Sequence, residues 1–139
     1  MTGHWETFEH TADVGLAGDA ATLGELFEAM AQGLAEFICR PDLVKREGVR
    51  ELRVQAGDVE ALLVDFLGEV ANVIQTDRFM VASVKVSRMD DNAVKAELAG
   101  EPYDPRRHRY RHEVKAVTYH RLKVAQENGK WIARVILDV

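Results

Sequence analysis

The sequence predicts an α+β fold: a single domain over residues 1–139, with two amphipathic helices packed on a mixed, mostly antiparallel sheet of about six or seven strands. Three observations carry that prediction. Two stretches repeat apolar residues at the three-and-four spacing of a helix face. Nearly all of the rest alternates with period two, the pattern of strands with one buried side. The length of 139 residues suits one domain with a sizeable core.

Residues 4–17 are expected to supply one or two short strands. A helix is predicted over about 22–39, with Leu23, Leu26, Phe27, Met30, Leu34, Phe37 and Ile38 on its apolar face. Thr22 and Glu25 form a capping box at its start, and Pro41 marks its end. Residues 52–56 alternate as a strand. A second helix follows over about 59–75, with Leu62, Leu63, Phe66, Leu67, Val70, Val73 and Ile74 on one side and Asp58 as N-cap. Residues 79–88 and 93–99 form a hairpin around Met89–Asn92. Pro102 and Pro105 bracket a loop. Residues 113–126 form a long β-like stretch, which Asn128-Gly129 turns into a last strand from Lys130 to Leu137. That dipeptide favours a tight hairpin because both positions tolerate positive φ.

Composition narrows the function classes. The chain is 47% hydrophobic and 29% charged, with net charge −5. No apolar run reaches the length of a membrane span, and the first residues lack the basic and apolar blocks of a signal peptide. One cysteine, Cys39, excludes an intramolecular disulfide and suits a reducing, cytoplasmic setting. It falls on the apolar face of the first helix, where a buried, inert thiol is expected. Phosphate loops, zinc-protease helices and nucleophile elbows do not occur in the sequence.

Four stretches stand apart from the core pattern. His10-Thr11-Ala12-Asp13-Val14-Gly15 is polar between two strand-like segments. Val135-Ile136-Leu137-Asp138-Val139 ends the sequence with a carboxylate beside the final residue, an arrangement of hard oxygen donors suited to a cation. Arg106-Arg107-His108-Arg109-Tyr110-Arg111-His112 places four arginines and two histidines in one loop; the other fourteen basic residues face 23 acidic ones. That run, expected to be exposed, suits phosphate or an acidic partner. Lys115-Ala116-Val117-Thr118-Tyr119-His120 is less apolar than a core strand. Its alternation puts Thr118 and His120 on one face and Lys115, Val117 and Tyr119 on the other.

With these stretches in hand, the sequence resembles the archease family. Leu26-Phe27-Glu28-Ala29, Glu60-Ala61-Leu62-Leu63-Val64-Asp65-Phe66-Leu67 and Gly100-Glu101 extend the match over essentially the whole chain. The resemblance implies an accessory protein, not an enzyme. It would promote guanylylation of the active-site histidine of an RtcB-type RNA ligase, as in tRNA splicing, and allow multiple turnover. It further implies a divalent-metal site carried onto Asp13, Asp138 and Val139. Calcium is the first candidate, while oxygen donors also admit manganese or magnesium. His10, Lys115, Tyr119, His120, Arg107 and Arg109 become candidates for partner binding or support. The implied partner is the ligase, with an indirect link to tRNA and no membrane. Two other readings stay open: an RNA-binding or chaperone module using Arg106–His112, and a stand-alone metal-dependent hydrolase with His10 or His120 as base.

Overall fold

The computed structural model describes residues 2–10 and 13–139, with side chains for 2–8 and 13–139. Among the described residues, seven strands and two α-helices follow one another as β1 (His4–His10), β2 (Asp13–Ala20), α1 (Leu23–Ile38), β3 (Gly48–Gln55), α2 (Val59–Gln75), β4 (Phe79–Met89), β5 (Ala93–Pro102), β6 (Ala116–Glu127) and β7 (Lys130–Asp138). A single 3-10 turn, Pro41–Leu43, links α1 to β3.

The strands build two sheets rather than the one expected, and every pairing is antiparallel rather than mixed. One sheet runs β1-β2-β7-β6 and the other β3-β5-β4. Both helices touch strands of both sheets and lie between them. This explains why α1 is covered nearly all round: ten of its sixteen residues are buried and none is fully exposed. A helix between two sheets needs apolar contacts on two sides, so a simple amphipathic stripe understates its burial. Helix α2 keeps one solvent stripe, Asp65, Glu69 and Asn72.

Local chemistry sets the helix boundaries. Thr22 Oγ1 accepts from the Glu25 N–H at 3.2 Å and donates to Glu25 Oε1 at 2.9 Å. Asp58 Oδ1 accepts from the Ala61 N–H at 2.8 Å, capping α2. Across the middle layer Phe27 meets Phe66 with ring centroids 5.5 Å apart. Each such buried ring contributes about 1.5–3 kcal/mol.

The helices also serve the sheet edges. Glu28 accepts from the Val86 N–H at 2.7 Å, on the β4 edge where the register shifts. Gln75 takes both backbone groups of Val114, accepting from its N–H at 2.7 Å and donating to its carbonyl at 2.9 Å. Its amide thus holds the chain just ahead of β6.

Candidate functional site

The outer face of the four-stranded sheet is built row by row. Leu137 and Leu16 are fully buried on the helix side. Val14 pairs with Leu137, so Asp13 and Asp138, one residue further toward the rim, project from the opposite face. The β1–β2 register pairs His10 with Asp13, and the β6–β7 register pairs Ala116 with Asp138. The Lys115 N–H donates to the Asp138 carbonyl at 2.7 Å. Asp13 and Asp138 therefore share one rim of the sheet, both half-buried. Val139 follows, 37% exposed. The His10 side chain, with Thr11 and Ala12, lies outside the described residues.

The next row supports that rim. Phe8 pairs with Gly15, Gly15 with Ile136, and Ile136 with Thr118. A Cβ on Gly15 would collide with the Phe8 ring, so the glycine lets that ring lie across β2. Arg134 covers Phe8, its guanidinium carbon 4.3 Å from the ring centroid. Ile136 is only 2% exposed although it faces away from the helices. The outer face therefore has a small apolar cluster of its own beneath the carboxylates.

Strand β6 departs from the predicted alternation. From Thr118 to Lys123 it takes five residue steps against two on β7, a bulge with Arg121 in the left-handed region at φ 53°. The period-two assignment of faces fails beyond Thr118. Thr118 Oγ1 donates to the Ile136 carbonyl at 2.9 Å and accepts from the His120 N–H at 3.3 Å. Tyr119 is thrown outward, 59% exposed, and His120 and Lys115 are exposed as well.

As donors for a metal, Asp13, Asp138 and Val139 offer carboxylate and backbone oxygens, which fit a hard divalent cation. Among the described residues neither aspartate has an ion-pair partner, so no basic side chain there neutralises the pair. Among the same residues no cluster of three or more His, Cys, Asp or Glu side chains gathers. Asp138 already spends its carbonyl on Lys115, which leaves its carboxylate as the available donor.

The basic loop is not the uniformly exposed run that the sequence suggests. Arg107 turns inward and donates from both Nη atoms to Glu101, at 2.9 and 2.6 Å. Glu101 is 4% exposed and also accepts from the Lys45 N–H at 2.6 Å. His108, 1% exposed, accepts from the Asp104 N–H at Nδ1, 2.8 Å, so its ring proton sits on Nε2 and is shared with Glu101 at 3.0 Å. The Arg107 guanidinium, the Lys45 N–H and His108 together hold the Glu101 carboxyl well below the usual carboxylate range, against the opposing effect of burial. Arg107 is consequently a structural clasp residue. Arg109 stays exposed, donating to the Pro105 and His108 carbonyls. Glu101 and His108 were not among the candidate site residues, although Gly100-Glu101 entered the family match and His108 the basic run. The signal available for them was a polar Gly-Glu pair ending an apolar strand.

Cys39 is fully buried, with its Sγ 3.3 Å from the Ala35 carbonyl. Burial, with the nearby Glu36 charge adding to it, pushes its thiol up to about 12. It is an inert core thiol, as expected from its place on the helix. Among the described residues no helix is long and apolar enough to cross a membrane.

Comparison with known proteins agrees with this architecture. The model of the archease protein family matches residues 5–139. A "Protein archease" from Pyrococcus abyssi is 38% identical, over 97% of this chain and 98% of its own. Another, from Methanopyrus kandleri, is 36% identical over 97% and 99%. The solution structure of Protein 1598 from Methanobacterium thermoautotrophicum superposes with TM-score 0.79 at 32% identity, covering 97% of this chain and 98% of that one. A Thermotoga maritima archease, described as a "possible chaperone", shares the fold at TM-score 0.60 and 16% identity, over 96% of both chains. This chain belongs to the archease family.

Proposed function

We propose that this protein is an accessory factor of an RtcB-type RNA ligase, promoting guanylylation of the ligase's active-site histidine and its repeated turnover in tRNA splicing. One observation carries the reading in a member of this family: Asp13 and Asp138 share a sheet rim beside the Lys115–His120 stretch. In this proposal Asp13, Asp138 and the oxygens of Val139 hold a divalent cation, most suitably calcium, with water completing its shell. The cation would supply positive charge to a polyanionic nucleotide or to the partner's acidic groups. The protein's own contribution is positional. The β2–β7 register fixes the two carboxylates, the apolar row below keeps them at the surface, and the β6 bulge presents Tyr119, with Lys115 and His120 nearby, to the ligase. The protein is taken to act in the cytoplasm.

An RNA-binding module built on the whole Arg106–His112 run is less well supported, because Arg107 and His108 are committed to Glu101. Nothing observed favours a stand-alone hydrolase. The test is guanylylation of a cognate ligase with labelled GTP, with and without this protein. Faster labelling and multiple turnover are expected in its presence, with no covalent nucleotide on this chain. A ligase equally active alone would refute the reading.

A further inference from the structure

The second half of the basic loop forms a site that the rim does not use. Arg78 sits between α2 and β4 at φ 55°, the left-handed region that a branched or long side chain seldom adopts. Its carbonyl accepts from the Tyr103 N–H at 2.8 Å. Its guanidinium lies over two rings, 4.4 Å from the Tyr103 centroid and 5.3 Å from that of Tyr110. Tyr110 is itself anchored, donating its hydroxyl to the Ile74 carbonyl at 2.8 Å. Arg111 is tied down by its N–H to the Ile38 carbonyl at 2.7 Å and by Nη1 to the Glu36 carbonyl at 3.2 Å. His112 stacks nearly parallel on Phe37, centroids 4.3 Å apart, with Nδ1 3.0 Å from the Phe37 carbonyl.

Arg78, Tyr110, Arg111 and His112 line an open cavity of about 300 Å³ together with Gln75 and Glu113. Gln75 is occupied by Val114 and serves as wall. Among the described residues, Arg78, Arg111 and His112 have no ion-pair partner, whereas Arg106 and Arg107 are paired with Asp104 and Glu101. Two oriented guanidiniums and an exposed imidazole ring, held by backbone carbonyls and aromatic rings, suit an anion with several acceptor oxygens.

We propose that the cavity bounded by Arg78, Tyr110, Arg111 and His112 binds a backbone phosphate of single-stranded RNA, with the exposed His112 ring as a stacking face for the neighbouring base. Glu113 limits how much negative charge the cavity accepts, which favours the single charge of a phosphodiester over doubly charged inorganic phosphate. Base stacking on an aromatic face adds affinity without sequence preference. The proposal does not rest on Asp13, Asp138 or the ligase.

The experiment follows fluorescence anisotropy of a short labelled single-stranded RNA against the intact protein over a salt series. Arg111→Gln and Arg78→Gln should each weaken binding roughly fivefold and lower the salt slope by about one. Arg88→Gln, at an exposed hairpin arginine, should change neither. Thermal melting checks folding; if Arg78→Gln fails to fold, Arg111→Gln carries the test. Absence of RNA binding by the wild type at low salt overturns the proposal, as does equal weakening by Arg88→Gln. At matched ionic strength, inorganic phosphate displacing the RNA no better than chloride supports the proposal, whereas displacement at a far lower concentration than chloride marks a phosphate-only site and overturns it.

Discussion

Glu101 shows how one carboxylate can organise a loop. Its two oxygens receive both Nη groups of Arg107, the Nε2 proton of His108 and the Lys45 amide, binding the loop after β5 to the segment before β3. Removing it strands a buried imidazole and an inward-turned guanidinium. Glu101→Ala should therefore cost about 3 kcal/mol, measured by urea unfolding. The depressed carboxyl also sets a pH dependence. The ionised form is favoured in the folded state, so its contribution is fully present above the ordinary value near 4.5 and is lost as pH falls below it. The wild type should lose stability on acidification below that value more steeply than Glu101→Gln, in melts across the acid range. Cys39 makes the opposite case: a buried thiol raised to about 12 should not react with a thiol reagent until the protein is unfolded.

At the scale of elements, close backbone approach fixes where β4 and β5 meet. A Cβ on Gly100 would collide with the Met80 carbonyl oxygen, which is backbone and cannot swing aside. Gly100→Ala should cost about 3 kcal/mol or more, visible as a shifted unfolding midpoint with an unchanged slope. Both helices were legible to within a residue because Thr22 and Asp58 cap them chemically and their apolar spacing is unbroken. Less legible was the partition into two sheets. Alternation tells a strand which face is buried, not which neighbour it will pair with, and the β3-β5-β4 order requires β5 to enter between two earlier strands. The β6 bulge was invisible for a related reason. Thr118 to Lys123 continues a plausible strand composition, and only the partner strand shows that five steps are matched by two. Arg107 was misread because four arginines in one loop look like a surface patch, while its acidic partner Glu101 lies six residues upstream at the end of another element.

Across the whole molecule, the two helices form an apolar middle layer and leave the outer face of the four-stranded sheet to carry polar groups at its rim. Asp13 and Asp138 are far apart in sequence, and the resemblance to the archease family, not spacing, linked them. The antiparallel β2–β7 register gives that link a physical basis. If the rim holds a cation, calcium at a hundredfold excess over its Kd should stabilise the fold by about 2.7 kcal/mol. That rise should vanish in Asp13→Ala and Asp138→Ala while both remain folded. The role of the rim in function is tested most directly by labelling a cognate RtcB-type ligase with radioactive GTP in the presence of wild-type protein, Asp13→Ala or Asp138→Ala. Stimulation by the wild type and none by either folded variant is the expected result. Undiminished stimulation by both variants would contradict a functional role for these carboxylates.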